Sequence, residues 1–322
     1  MEMFGVNSHS TEAGVPAAAL DRLQNNITLA FLGKPDVVRF ALVALLAEGH
    51  LLVEDVPGVG KTLLAKSLAR SLNCSFHRIQ FTPDLLPGDL IGTSIFHQPT
   101  SSFVFQPGPI FAQIVLADEI NRATPRTQSA LLEAMSDRQV SVDGQTRRLG
   151  PPFIVLATQN PYEFEGTYPL PESQLDRFML RIRVGYPDRE NELAVLTQHR
   201  VGEPVDSLKS VVEVDDILAL QAAVRNVKVS DPLAGYLLDI VTATRHHKDV
   251  TLGASTRAAL ALYRASQAYA LFDRRDFVTP DDVKVLVVPV LAHRLLTKQF
   301  RGTGDAATNI LNDILQHTVV PA

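Results

Sequence analysis

The chain has 322 residues with a formal charge of −5; 46% are hydrophobic, 20% charged, and one is a cysteine. That length predicts two domains, or one large domain with an appendage, able to bury a core without disulfides or structural metals. The acidic balance excludes a global basic footprint for nucleic acid, the lone cysteine excludes an internal disulfide, and no apolar run approaches the roughly 20 residues that span a bilayer.

The N-terminus is acidic and polar (Glu2, Ser8, Ser10, Glu12) and lacks the basic-then-apolar order of a signal peptide, so a soluble cytoplasmic protein is expected. Residues 1–15 are unpatterned and read as a flexible N-terminus. Apolar residues then recur at helical spacing from Pro16 to Leu32 and from Pro35 to Glu48, with Gly49 as a stop. A short strand, Leu51 to Glu54, precedes a glycine-rich turn and a helix from Lys61 to Leu72. Cys74 lies where this helix gives way to a strand at Ser75 to Phe81, a place for a buried small hydrophobe rather than a reactive thiol.

Thr82-Pro83, Thr124-Pro125 and Thr279-Pro280 read as helix openers, with Thr at the cap and Pro at the first helical position. Between Gly88 and Pro109 the helix signal fails, and Phe96, Phe103 and Phe105 around a polar stretch predict a small hairpin. Ile114 to Ala117 is wholly apolar, as a parallel strand covered on both faces should be. A helix over 125–138, a hairpin over 139–149 turning at Asp143-Gly144, and a buried strand over Phe153 to Thr158 follow. This alternation gives an α/β domain with a largely parallel sheet. After Gly185-Tyr186-Pro187-Asp188 only helices are expected, near 188–199, 214–226, 231–247, 255–272, 280–296 and beyond Gly304, so a domain border is drawn at 187.

Three clusters carry chemistry. Gly58-Val59-Gly60-Lys61-Thr62 sits between an apolar strand and a helix, the context of a phosphate loop. Its inward amides meet the charge of a triphosphate, Lys61 reaches the β- and γ-phosphates, and the Thr62 hydroxyl serves magnesium. The leading glycine of the pattern belongs at position 55, which is Asp55. Next, the strand ending Ala117-Asp118-Glu119 places Asp118 by the metal and Glu119 by the attacking water. GTPases carry glycine three residues after that aspartate; here it is Asn121, and the Asn-Lys-x-Asp guanine signature is absent, so ATP is favoured. Third, Gln159-Asn160-Pro161 ends the neighbouring strand, where the Asn160 amide can orient water against the γ-phosphate. The nucleotide-binding set is therefore Pro57, Gly58, Val59, Gly60, Lys61, Thr62, Leu63 and Asp118, with Thr62 and Asp118 as the magnesium ligands. His246-His247, beside Arg245 and Lys248, read as a solvated face, and no His or Cys spacing marks another metal.

In this order these elements resemble the AAA+ ATPases, and more narrowly the MoxR family, over residues 30 to 300. The specific marks are Glu54-Asp55-Val56-Pro57-Gly58-Val59-Gly60-Lys61-Thr62, Gln80-Phe81-Thr82-Pro83-Asp84-Leu85-Leu86-Pro87, Ala117-Asp118-Glu119-Ile120-Asn121-Arg122-Ala123, Ala157-Thr158-Gln159-Asn160-Pro161, Leu170-Pro171-Glu172-Ser173-Gln174-Leu175-Asp176-Arg177-Phe178 and Gly253-Ala254-Ser255-Thr256-Arg257. MoxR-like proteins also tolerate Asp at the leading loop position. The resemblance implies an α/β P-loop core with a five-stranded parallel sheet over 16–187, and an all-helical lid over 188–322. It also implies hairpin inserts near 88–109 and 139–149, which either contact partners or are plain surface hairpins.

By the same resemblance Asn160 is sensor 1 and Arg177 is an arginine finger reaching a neighbouring subunit's γ-phosphate. Arg257 is sensor 2, closing the lid onto the nucleotide. A surface ion pair is the competing reading for Arg177, and Arg181 and Arg183 lie close enough to be confused with it. The implied protein is an Mg2+-dependent ATPase, a homohexamer that remodels or matures a protein client, in this family often one with a von Willebrand factor A domain. No membrane span is expected. A nucleic-acid motor or loader is the alternative, disfavoured by the acidic balance and the lack of a basic or winged-helix appendage; a nucleotide-gated scaffold is disfavoured by Glu119.

Overall fold

The computed structural model describes residues 14–161, 166–198, 200, 202–298 and 305–321. Of the expected flexible stretch 1–15, only its last two residues fall within these, and they open a helix.

Helices α1 (Gly14–Ala30) and α2 (Pro35–Leu46) lead into strand β1 (Leu51–Glu54) and, through the glycine-rich turn, helix α3 (Lys61–Ser71). Strand β2 (Phe76–Gln80), helix α4 (Pro87–Ile91) and the hairpin β3 (Gly92–His97) and β4 (Ser102–Pro107) follow. Then come β5 (Ile114–Asp118), α5 (Pro125–Asp137), the hairpin β6 (Gln139–Val142) and β7 (Gln145–Arg148), β8 (Ile154–Gln159), α6 (Glu172–Leu175) and β9 (Leu180–Ile182). The remainder is α7 (Arg189–Gln198), α8 (Val214–Asn226), α9 (Asp231–His246), β10 (Val250–Leu252), α10 (Thr256–Phe272), α11 (Pro280–Leu291), β11 (Leu296–Thr297) and α12 (Asp305–His317).

One sheet runs in the order β2-β5-β8-β1-β9, every neighbouring pair parallel. Its central strands β1, β5 and β8 are largely apolar because both faces are covered, whereas the edge strand β2 is mostly polar and exposed. The two-residue period of a strand divides the apolar residues between two cores. Leu51, Val53, Ile114, Leu116, Ile154 and Leu156 join α1, α2, α3 and the C-terminal helices on one side. Leu52, Val115, Ala117, Val155 and Ala157 pack with α5, Phe81 and Phe178 on the other. The first core is continuous from α1 and α2 into α8, α10 and α11. Polar contacts pin the same seam: Gln221 Nε2 donates to the Leu45 carbonyl at 2.7 Å, and Arg39 pairs with Asp273 at 2.7 Å.

Several elements differ from the sequence reading. Thr82-Pro83 opens a turn closed by Leu85 N–H on the Thr82 carbonyl, 3.2 Å. The short helix starts instead at Pro87, where the Asp89 carboxylate accepts from Leu86 N–H at 2.9 Å. Thr124-Pro125 and Thr279-Pro280 do open α5 and α11. The fifth strand, β9, is only three residues long, too short to show a period of its own. The C-terminal half carries one small antiparallel ribbon, β10 with β11, among its helices. Asp143 and Gly144 take φ of 52° and 73°, the left-handed pair that a two-residue hairpin demands. Cys74 is half-buried, and burial pushes its thiol up to about 11, away from thiolate chemistry.

His50 gives the fold a pH dependence. It is wholly buried between β1 and β8, where its Nδ1 accepts from Val155 N–H at 3.0 Å, so Nε2 carries the proton toward the Met135 carbonyl at 3.0 Å. Burial drives its pKa down from 6.5 to about 4. The unfolded chain binds this proton from pH 6.5 downward and the folded chain does not until about 4, so stability is complete at neutral pH and falls with pH across that window. Unfolding free energy is expected to drop by about 2 kcal/mol between about pH 7.5 and about pH 5 on this account alone. His50→Gln should remove that share in urea titrations at the two pH values; an unchanged pH dependence would refute the assignment.

Candidate active site

The carboxyl ends of β1, β5 and β8 converge, the place where open α/β sheets bind ligands. There the turn between β1 and α3 borders a cavity of about 670 Å³ lined by Pro57, Gly58, Val59, Gly60, Lys61, Thr62 and Leu63. Asp118, Glu119 and Asn160 line it too, so the structure brings together all these sequence-predicted residues. Gly58 and Gly60 have φ of +84° and +91°, which an L side chain rarely adopts. A Cβ on Gly58 would point into open space, and one on Gly60 would meet the Phe31 ring at 3.1 Å. The turn is a cradle of backbone, closed behind by the end of α1.

Lys61 Nζ donates to the Asp55 carbonyl at 2.7 Å, and burial lowers its pKa against the raising pull of Asp118, Asp55 and Glu119. The buried Asp118 carboxylate is held from two sides: Thr158 donates its hydroxyl to Oδ1 at 2.6 Å, and Arg78 gives Nε and Nη2 to Oδ2 at 3.1 and 2.6 Å. The Thr158 oxygen in turn accepts from Glu119 N–H at 2.9 Å, so one buried hydroxyl fixes both acids. Glu119 itself stands at φ 57°, ψ 50°. A left-handed non-glycine residue at such a place is strain held by its surroundings. Gln80 Nε2 and Arg122 Nη1 reach its Oε2 at 2.7 and 3.1 Å.

The donor set fits magnesium. A hydroxyl (Thr62) and a carboxylate (Asp118) share the cavity, the one or two hard oxygen ligands that this ion takes alongside phosphate and water. Among the described residues no group of three or more His, Cys, Asp or Glu forms an all-protein metal cage.

Arg177 and Arg257 lie elsewhere. Arg177 Nη1 donates to the Leu132 carbonyl at 2.5 Å and to Ser136 Oγ at 2.6 Å, bracing α5. Arg257, in the first turn of α10, is 3.9 Å from Asp176. Neither is among the residues that line the phosphate cavity. Asp176 also forms an ion pair with Arg294 Nε at 3.3 Å and accepts the Ser255 hydroxyl at 3.2 Å, tying the Leu175–Phe178 motif to the start of α10. Burial drops the Arg294 guanidinium to about 10 despite that carboxylate.

Sequence reasoning missed Phe31, Arg78, Thr158 and Asp176. Arg78 and Gln80 stand two apart on β2 and so share a face with Asp118 at the end of β5, a signal the alternation carried. Asp176 and Arg294 are 118 positions apart, and nothing local announces their meeting.

The comparisons agree with this geometry. Residues 50–180 match the family described as "ATPase family associated with various cellular activities (AAA)", and residues 242–314 match its AAA lid domain. The chain is 42% identical to Chaperone MoxR1 of Mycobacterium tuberculosis, over 94% of this chain and 82% of that protein. It belongs to the MoxR family of AAA+ ATPases. The uncharacterized protein YeaC of Bacillus subtilis is 48% identical over 94% of this chain and 95% of its own. A crystal structure from Cytophaga hutchinsonii, described as a candidate ATPase, superposes with a TM-score of 0.88 at 37% identity, covering 96% of this chain and 97% of that one. This MoxR-family chain therefore hydrolyses ATP on a five-stranded parallel core with an AAA lid. No helix among its described residues is long and apolar enough to cross a membrane.

Proposed function

We propose that the protein is a ring-forming, Mg2+-dependent ATPase, a homohexamer that remodels or matures a protein client in the cytoplasm. We take residues 16–187 as the nucleotide-binding core and 188–322 as the lid. One observation carries the ring: neither Arg177, whose guanidinium is held by Leu132 and Ser136, nor Arg257, beside Asp176, lines the chain's own phosphate cavity. Developing charge on a transferred phosphoryl group is best met by guanidinium; Arg78 lines the cavity but is engaged on Asp118, so a further guanidinium from another copy would complete the site.

Within the site the amides of Gly58 to Thr62 hold the triphosphate, and Lys61 leaves the Asp55 carbonyl to reach the β- and γ-phosphates. Thr62 and Asp118 hold magnesium, which neutralises phosphate charge when bound. Glu119 polarises the attacking water and Asn160 orients it. The client surface is the pair of hairpins. Phe96 and Phe103 stack edge-on at 5.4 Å with Phe103 73% exposed, and Arg147 of the second hairpin covers the Phe105 ring at 3.9 Å. Exposed aromatics of this kind serve protein contacts. The relative named Chaperone MoxR1 supports a protein client, and a von Willebrand factor A domain partner follows from family likeness.

ATP turnover per subunit should therefore rise with protein concentration in step with assembly followed by sedimentation velocity. Full turnover in a strict monomer would defeat the ring.

A further inference from the structure

We propose that Asp55 is a positioning residue for adenine-nucleotide binding, its carboxylate holding one wall of the nucleotide cavity against the phosphate loop. This rests on reading the cavity as the ATP site. Asp55 stands where the phosphate-loop pattern has its leading glycine. Glycine's freedom is not needed there, since Asp55 is not among the residues with positive φ.

The side chain does something glycine cannot. The β1–β9 ladder ends at Val53 opposite Ile182. Beyond it the Asp55 carboxylate takes over: Oδ2 accepts from Val184 N–H at 2.7 Å and Gly185 N–H at 2.6 Å, while Oδ1 accepts from Val56 N–H at 2.8 Å. Three amides on one carboxylate are short, charge-assisted bonds, and they offset a negative charge otherwise unwelcome beside a phosphate site. The main chain of Asp55 is engaged as well: its N–H donates to the Gln159 carbonyl at 3.2 Å and its carbonyl holds Lys61.

The strapped segment is a wall of the cavity. Val184, Gly185, Tyr186 and Pro187 line it, and α7, which starts two residues later, adds Val195 and Leu196. The phosphate-holding wall begins at Pro57, two residues after Asp55. One side chain thus sets the spacing between the part of the cavity that grips phosphates and the more apolar part that lies away from them. Loss of the strap should weaken ligands that touch both walls and spare ligands that touch only the phosphate loop.

The test compares ATP with inorganic tripolyphosphate, which has no base or ribose, by calorimetry in magnesium on the full chain. Asp55→Gly restores the usual loop residue and removes the strap. It is expected to raise the ATP dissociation constant roughly tenfold, leave tripolyphosphate affinity unchanged, and speed hydrogen exchange at the Val184 and Gly185 amides. Asp55→Asn keeps one acceptor and should fall between, which also guards against a glycine variant that folds poorly. Equal weakening of both ligands would overturn the proposal by assigning Asp55 to the loop itself; unchanged ATP affinity would overturn it outright. Wild-type protein binding neither ligand would overturn the ATP-site reading beneath it.

Discussion

Glu119→Gln is expected to lower ATP turnover by about 10²–10⁴-fold, the usual worth of a positioned general base, while ATP stays bound. Binding survives because the phosphates are held by backbone amides of the Gly58–Thr62 turn and by Lys61, none of which the substitution touches. The two side chains have one shape, so Gln80 and Thr158 keep their places, and only the ability to draw a proton from water is lost. The ion pair with Arg122 at 3.1 Å weakens too, though half-exposed pairs contribute little. Phosphate release and retained nucleotide, measured on the same sample, separate the two effects. A variant with wild-type turnover would remove Glu119 from the chemistry. Used as bait with ATP present, the same variant should hold the client-bound state.

The second large effect is expected at Arg177. Arg177→Ala should cost on the order of 10³-fold or more in turnover with ATP affinity preserved, since this side chain does not line its own cavity. Each single variant keeps what the other lacks: an Arg177→Ala subunit retains Glu119, and a Glu119→Gln subunit retains the guanidinium to donate. Mixing the two inactive proteins should therefore restore turnover. Failure to complement, with mixed assembly verified, would leave Arg177 as a brace for α5 through Leu132 and Ser136.

The site was legible where it is local in sequence. Gly58 to Leu63 are contiguous, and Asp118, Glu119 and Asn160 end apolar strands, so strand periodicity alone delivers them to one edge of the sheet. What escaped is held by distant partners. Thr158 looked like one more residue of a buried strand, yet its hydroxyl holds both acids, because the parallel neighbour β5 ends beside it. The third Thr-Pro pair behaved as local chemistry predicts, but Thr82-Pro83 did not, since Pro87 offered a competing first-turn position with Asp89 to cap it. Strand β9 was invisible from its residues because three positions cannot display a period; the five-strand count came from family likeness.

The continuous apolar seam between α1–α2 and α8, α10 and α11 limits how this ATPase can move. Opening that seam would wet Leu42, Leu45, Ile217, Leu220 and Leu262, all essentially buried, at about 25 cal/mol for each Å² exposed. The C-terminal helices therefore travel with the first two helices as one stiff block. Motion that starts at the phosphates is therefore expected to be passed on by this block as a whole, not by a flap of its C-terminal helices alone.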